Sequence, residues 1–372
     1  MIERAAVIRS RLREPLRLVI PVLVCCVLLD AIVFRSGWYA KVAEPDSNLG
    51  TVTSIRMLQA QQFRAGMHNT LVFGDSRIGE GFSALVANQQ QTRLNYINVA
   101  IPGSMPRTWW YLLDQFERDG FHPDAVVLGA IYAPRDRTDL ADWPLDSSHQ
   151  WQLLRLSDYP HYLAAIHSPT LRTQTRRQML LPVLAVQADL QDLLQSPFRR
   201  SDKLLHERPG YLASLPLYPG RDEQMPYVDI NVDGSIKDWN DASEEKRQAI
   251  VAHATELKAP IRPEITAAND AYLQTWYLKI ADWCQQHQVQ LVVFPPPRGP
   301  YHVLQPRHPQ PEVIRTALVN HPEVLVLPAD SFDALEAPEF FFDTLHLNHT
   351  GREALSRNLA TTIESTLGKE AR

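Results

Sequence analysis

Asn69-Thr-Leu-Val-Phe-Gly-Asp-Ser-Arg-Ile-Gly-Glu-Gly-Phe-Ser83 decides how the rest of this chain is read. Leu71-Val72-Phe73 is an apolar run too short for a helix and is bounded by Gly74, which predicts a buried strand over Thr70–Gly74. Gly74-Asp75-Ser76 makes a sharp turn. Phe82, Leu85 and Val86 then share one face of an expected helix. Strand, tight turn, helix is the geometry that lifts a serine hydroxyl to the carboxyl end of a sheet. The backbone N–H groups that open the helix there favour negative charge.

A serine hydroxyl is inert at neutral pH without a base. Phe341-Phe342-Asp343-Thr344-Leu345-His346-Leu347-Asn348 supplies one, with Asp343 and His346 three positions apart ahead of a helix expected from Thr350 to Leu367. A carboxylate that fixes the imidazole tautomer lets the ring take the serine proton. Ser76, Asp343 and His346 are therefore read as one site built from two distant parts of the chain. The chain has 13 histidines, and the spacing from Asp343 selects His346 over His349. As a metal site, His346 and His349 bring two ligands and no third nearby in sequence, so no metal and no cofactor is expected.

Three blocks in this order resemble the SGNH (GDSL-type) hydrolase and acyltransferase superfamily: Gly-Asp-Ser76 after the first strand, Gly103 after the second, and Asp343-x-x-His346 near the carboxyl end. The resemblance spans about residues 69–365 around an unmatched insertion. It implies that the backbone N–H groups of Ser76 and Gly103 form an oxyanion hole. It also implies an asparagine after the third strand, where this sequence reads Gly129-Ala-Ile-Tyr-Ala-Pro-Arg-Asp136 instead. Tyr132 and Arg135 are the candidate replacement donors, because both follow the carboxyl end of a strand. Arg77, just past the serine, is either a pocket residue or half of an ion pair with no part in the site. Arg298, in Pro295-Pro-Pro-Arg-Gly-Pro300, is either an anion contact or a solvated surface arginine.

The 372 residues carry a net charge of −5 with both signs interspersed, which speaks against a nucleic-acid partner. Three cysteines, two of them the adjacent Cys25 and Cys26, give no disulfide framework and no zinc spacing. Arg4, Arg9, Arg11, Arg13 and Arg17 (segment 1–17) precede an apolar run from Leu18 to Phe34. At about 17 residues this run is at the short limit for crossing a bilayer. The arginines orient it with the amino end in the cytoplasm and everything after Phe34 outside. Trp38 and Tyr39 suit the outer interface, and the lysine in Lys41-Val-Ala43 spoils the nearest cleavage site, so an uncleaved anchor is expected rather than a signal peptide.

Residues 35–68 read as a linker and a lead-in helix over Thr51–Ala65. Further strands are expected at Tyr96–Ala100, Ala125–Leu128, Val289–Phe294 and Val324–Pro328. Long helices are expected at Thr108–Arg118 and Ile265–Gln288. Residues 137–260 break the pattern and read as an insertion. Helices are expected in it at Trp151–Leu156, Tyr162–Ile166 and Arg172–Leu194, followed by a stretch from Pro197 to Trp239 rich in Pro, Gly and Asp with many aromatics. It is either a lid over the carboxyl edge of the sheet or a structural cap.

The expected fold is α/β: a three-layer α/β/α sandwich on a mainly parallel five-stranded sheet, flavodoxin-like in layering, with a transmembrane helix and a largely helical insertion in a catalytic domain over 69–372. The expected chemistry is acyl transfer through Ser76 on the outer side of an inner membrane, single-pass, facing a periplasm. The resemblance to anchored SGNH proteins that work beside membrane-bound O-acyltransferases implies O-acetyl transfer to, or removal from, a cell-envelope polysaccharide, with such an acyltransferase as partner. The alternatives are an esterase or lipase on small or lipid esters, and an inactive glycan-binding or scaffold module.

Overall fold

The computed structural model describes residues 19–370 apart from 23, 46, 91–92, 131–138, 232, 259–261, 302–303 and 305–309. Five parallel strands form one sheet: β1 (His68–Phe73), β2 (Leu94–Asn98), β3 (Ala125–Gly129), β6 (Gln290–Phe294) and β7 (Leu325–Val326). Their order is β2-β1-β3-β6-β7, with Leu71 in register with Ile97 on one side and Val126 on the other. The chain leaves β1 to form β2 and then crosses to the opposite side of β1 for β3. A crevice at the carboxyl ends of β1 and β3 follows from that reversal, and Ser76 sits just after β1.

Alternation along each strand builds two cores. Leu71, Phe73, Val126, Leu128, Leu291 and Val293 point to one face. There they pack with Trp109, Leu112 and Phe116 of the Pro106–Arg118 helix and with Tyr277 and Ile280 of the Pro263–Gln286 helix. Val72, Val127 and Val292 point to the other face, against Leu355, Leu359 and Ile363 of the His349–Glu370 helix. The protein is thus an α/β chain with helices on both faces of a parallel sheet.

The strands fall within about two residues of their expected positions, and several helices differ. The helix expected after Ser76 is two short ones, Ser76–Gly81 and Ala84–Asn88. Phe82 between them is extended and fully buried. Ser83 caps the second by accepting from the Val86 N–H, while its own N–H donates to Ser356 Oγ on the carboxyl-terminal helix. The helix expected over Arg172–Leu194 breaks into Pro169–Leu180 and Gln187–Gln195, because Pro182 lacks the N–H to continue it. Trp151–Leu156 is a turn, and the α-helix lies before it at Pro144–Gln150. The stretch from Pro197, rich in proline, glycine and aspartate, begins with helices Pro197–Asp202 and Arg208–Ser214 around a π-helical Lys203–Glu207. Farther on, β4 (Asp229–Ile230) and β5 (Ile236–Asp238) pair as a hairpin, and a Glu244–Lys258 helix follows.

The amino end also departs from expectation. Among the described residues no helix is long and apolar enough to cross a membrane. Residues 19–22 and 24–29 are helical and lead into a π-helical Asp30–Arg35. The far end of the apolar run belongs to the folded body. Asp30 is buried and accepts from Arg35 Nε at 2.6 Å, while Arg35 Nη1 donates to Tyr159 Oη and Nη2 to the carbonyls of Met179 and Leu180. Phe34, Tyr39 and Leu49 pack with Val186 of the insertion, and the Tyr39 hydroxyl donates to Asp189 at 2.5 Å. Val22, Val27 and Ile32 lie outside that cluster and are about two-thirds exposed, at 60%, 63% and 66%.

Candidate active site

The turn after β1 admits only glycine at its first position. A Cβ on Gly74 would stand 2.1 Å from Ile78 Cγ1. Asp75 then caps the Ser76–Gly81 helix by accepting from the Arg77 N–H. Ser76 is left half-buried at the sheet edge. On the other side of the crevice, Asp343 closes its own loop, with Oδ1 accepting from the N–H groups of Leu345 (2.8 Å) and His346 (2.7 Å). Its Oδ2 lies 2.8 Å from His346 Nδ1, and His346 Nε2 lies 2.8 Å from Ser76 Oγ. The three expected residues therefore form one continuous hydrogen-bonded line. Burial raises the Asp343 pKa, but hydrogen bonds from the imidazole and the two backbone N–H groups outweigh it and leave the carboxyl below its usual value.

Gly103 sits in the loop after β2 with φ +71°, and a Cβ there would approach Leu145 Cδ1 to 2.9 Å. Its carbonyl accepts from Trp143 Nε1 at 3.0 Å, so the insertion fixes the orientation of the Gly103–Ser104 peptide. The loop is also tied to the serine turn, since the Ile101 N–H and Ser104 Oγ both donate to the Gly74 carbonyl. Beneath it lies a fully buried ion pair, Arg107 Nε to Asp146 Oδ2 at 3.0 Å. Asp146 also accepts from the Met105 N–H, Thr108 Oγ1 and Gln150 Nε2. The Arg107 guanidinium lies over the rings of Tyr162 and Tyr272. A buried charge held by this many partners fixes the start of the Pro106–Arg118 helix and the loop before it.

The other expected contacts divide. Arg77 is buried, and its Nε and Nη2 donate to Asp75, so it shapes the serine turn. Arg298 is committed to Glu336 through Nε (2.8 Å) and Nη2, with Asp333 also close, which engages the guanidinium in carboxylate pairing. Tyr132 and Arg135 lie outside the described residues. His349 turns away from His346: its Nδ1 contacts the Pro219 carbonyl and its Nε2 lies near Glu353. Among the described residues no group of three or more potential metal ligands is found.

Sequence reading missed the neighbours of this line. The Phe342 ring stacks on His346 with centroids 5.7 Å apart, and Arg221 lies over Phe342. Residues 218–225 of the insertion strap the histidine loop. The His349 N–H donates to the Arg221 carbonyl at 2.7 Å, Asn348 Nδ2 to Glu223, and the Met225 N–H to Phe341 at 2.8 Å. Gly220, with φ +100°, passes so close that a Cβ would lie 3.0 Å from His349 Cα. A run of Pro219-Gly220 between polar residues is the one sequence signal for such a close pass. Beside Ser76 opens a cavity of about 250 Å³, walled by the Asn48–Gln62 helix, by Leu215–Tyr218 and by Arg352. The even mixture of Thr51, Ser54, Ile55 and Leu58 gives no hint of that lining role.

A scan of family models finds no match to this chain, and a search of curated proteins finds none.

Proposed function

We propose that this chain is a serine-dependent acyl-ester enzyme of the SGNH type, held to the outer side of a membrane by its apolar amino-terminal run. It acts on O-acyl groups of a cell-envelope polysaccharide, as a transferase or as an esterase. The observation that carries this reading is the unbroken line Ser76 Oγ, His346 Nε2, His346 Nδ1, Asp343 Oδ2, with 2.8 Å at each contact between residues.

The chemistry follows from that line. Ser76 Oγ attacks the ester carbonyl as its proton passes to His346 Nε2, and Asp343 stabilises the imidazolium that forms. The carbonyl π pair moves onto oxygen, which the Ser76 and Gly103 backbone N–H groups receive. The intermediate collapses as the C–O bond to the leaving alcohol breaks, and His346 returns the proton to that oxygen. An acyl-serine remains. Water or a sugar hydroxyl then attacks it, deprotonated by the same imidazole, and Ser76 leaves with the proton back on Oγ. With a glycan hydroxyl as acceptor the reaction is O-acyl transfer, and with water it is deacylation.

The membrane assignment rests on the exposed apolar side chains between Val19 and Ile32 and on the arginine-rich segment before them. A membrane-bound acyltransferase is the partner that would hand acyl groups to such an enzyme. The test of the enzyme reading is labelling of the full chain, in detergent micelles, with an active-site-directed fluorophosphonate. Wild type is expected to label, and folded Ser76→Ala and His346→Ala are not. A folded wild-type protein that stays unlabelled overturns the proposal.

A further inference from the structure

We propose that the cavity beside Ser76 is the acceptor subsite and that it takes a neutral, hydroxyl-bearing ring, a pyranose unit of a glycan. This inference rests on the acyl-transfer reading and names what its second half-reaction uses.

The walls fit that chemistry. The Asn48–Gln62 helix turns one face to the cavity, with Thr51, Ser54, Ile55, Leu58 and Gln62 at helical spacing. Hydroxyl and amide groups thus stand toward the two ends of one wall with Ile55 and Leu58 as an apolar patch between them, a mixture that suits a ring bearing both hydroxyls and C–H faces. Leu215, Pro216 and Tyr218 bring the insertion to the opposite side, and Arg352 comes from the carboxyl-terminal helix. At about 250 Å³ the space is smaller than the sites that take drug-sized ligands and suits a single ring.

Two residues of this lining each carry a buried polar atom without a hydrogen-bond partner among the described residues. Ser54 is 1% exposed and Arg352 is 3% exposed, and neither Ser54 Oγ nor Arg352 Nε makes a hydrogen bond among the described residues. A buried donor left unsatisfied is costly; neither atom is open to solvent, so a ring hydroxyl removes that cost only where the side chain turns toward the cavity as the ligand enters. An alkyl chain would instead leave both unsatisfied and would also dehydrate Thr51 and Gln62.

The charge balance selects against an acidic sugar. Among the described residues Glu80 and Arg352 are the charged groups of the lining, one of each sign. Glu80 already accepts from the Tyr218 hydroxyl at 2.6 Å, and Arg352 Nη1 donates to the Gly79 and Glu80 carbonyls at 2.9 and 2.5 Å. The described lining is therefore neutral overall, and among the described residues a uronate or phosphate gains no uncompensated cation by entering.

Binding to the full-length Ser76→Ala chain, in a detergent without a sugar headgroup, tests this by saturation-transfer NMR. The probes are the methyl α-glycosides of glucose, galactose, mannose and N-acetylglucosamine, methyl glucuronoside and octanoate. At least one neutral glycoside is expected to receive saturation and to bind more tightly than the glucuronoside. Adding Ser54→Val or Gln62→Leu is expected to weaken that binding on the order of 3–10-fold each. Gln62 is only half-buried at the helix end, so its variant decides the test if Ser54→Val does not fold. The inference is overturned if no neutral glycoside binds, if neither variant weakens binding, or if octanoate displaces the glycoside from the site. Because Ser76→Ala turns nothing over, this result is independent of the fluorophosphonate test. Labelling without glycoside binding removes the subsite alone, and glycoside binding without labelling removes the acyl chemistry and the acceptor role with it, leaving a sugar-binding cavity.

Discussion

Ser76 Oγ and His346 Nε2 lie 2.8 Å apart although 270 positions separate them in the chain. Each is delivered by a local device that needs no other: the glycine turn after β1, and the loop that Asp343 closes on its own backbone. Their meeting depends on the sheet and on the insertion that straps the histidine loop.

Replacing Asp343 with asparagine is expected to lower kcat for p-nitrophenyl acetate by about 10⁴-fold, because the amide fixes the wrong imidazole tautomer. Ser76→Ala is expected to lower it at least as much. Combining the two should cost little beyond the larger single loss, since the residues act as a unit. Steady-state hydrolysis checks this, and full additivity of the two losses would disprove a shared relay.

Asp146→Ala strands Arg107 as a buried, uncompensated cation. The expected loss of stability is roughly 3–5 kcal/mol. Urea unfolding of the full chain in micelles reads it as a lower midpoint. A midpoint within experimental error of wild type would mean that the pair does not hold the loop before the Pro106–Arg118 helix.

Gly220→Ala forces a side chain into a left-handed position that also presses on His349 Cα at 3.0 Å. The strap is expected to lift from the histidine loop, costing about 1–3 kcal/mol. A fall in kcat larger than the fall in melting temperature explains is the signature expected if the strap positions His346. An unchanged rate would make the strap a cap with no bearing on the chemistry.

Acid should weaken the fold in two stages. Burial lowers the pKa of His149 and of His253 from the ordinary imidazole value of 6.5. The unfolded chain therefore takes up these protons first, and stability begins to fall as pH drops below about 6.5. Asp343 has the opposite origin and the same direction. Its folded pKa is below 3.8, so its contribution is complete above that value and is lost as pH falls through the folded one. Melting temperature measured from pH 8 to pH 3 is expected to show both limbs. His149→Gln should flatten the first and Asp343→Asn the second. A first limb unchanged in His149→Gln would assign it to His253 or to other groups.

The parts of the fold that are local are legible in the sequence. Four apolar residues predict strand β3, which is one residue longer, and the turn at Gly74 is placed by its glycine and serine. Helix ends are harder. Pro182 is embedded in a periodic apolar pattern that suggests continuity from Arg172 to Leu194, and the missing N–H breaks it. The apolar run to Phe34 reads as one span, yet Arg35, paired with Asp30, binds Tyr159 and the Met179 and Leu180 carbonyls of the insertion, because a partly buried ion pair with backbone partners outweighs local hydropathy there.

By itself the sequence determined the strand positions, the tight serine turn and the Asp343–His346 spacing, because backbone sterics and side-chain periodicity act within a few residues. Only the tertiary structure decided which polar groups meet. It turned Arg298 onto Glu336, buried Arg107 on Asp146, and set Ser54 and Arg352 into one cavity beside Ser76. A charged side chain takes whichever partner best offsets its lost hydration. That partner is fixed by packing between elements far apart in the chain, which no short stretch encodes.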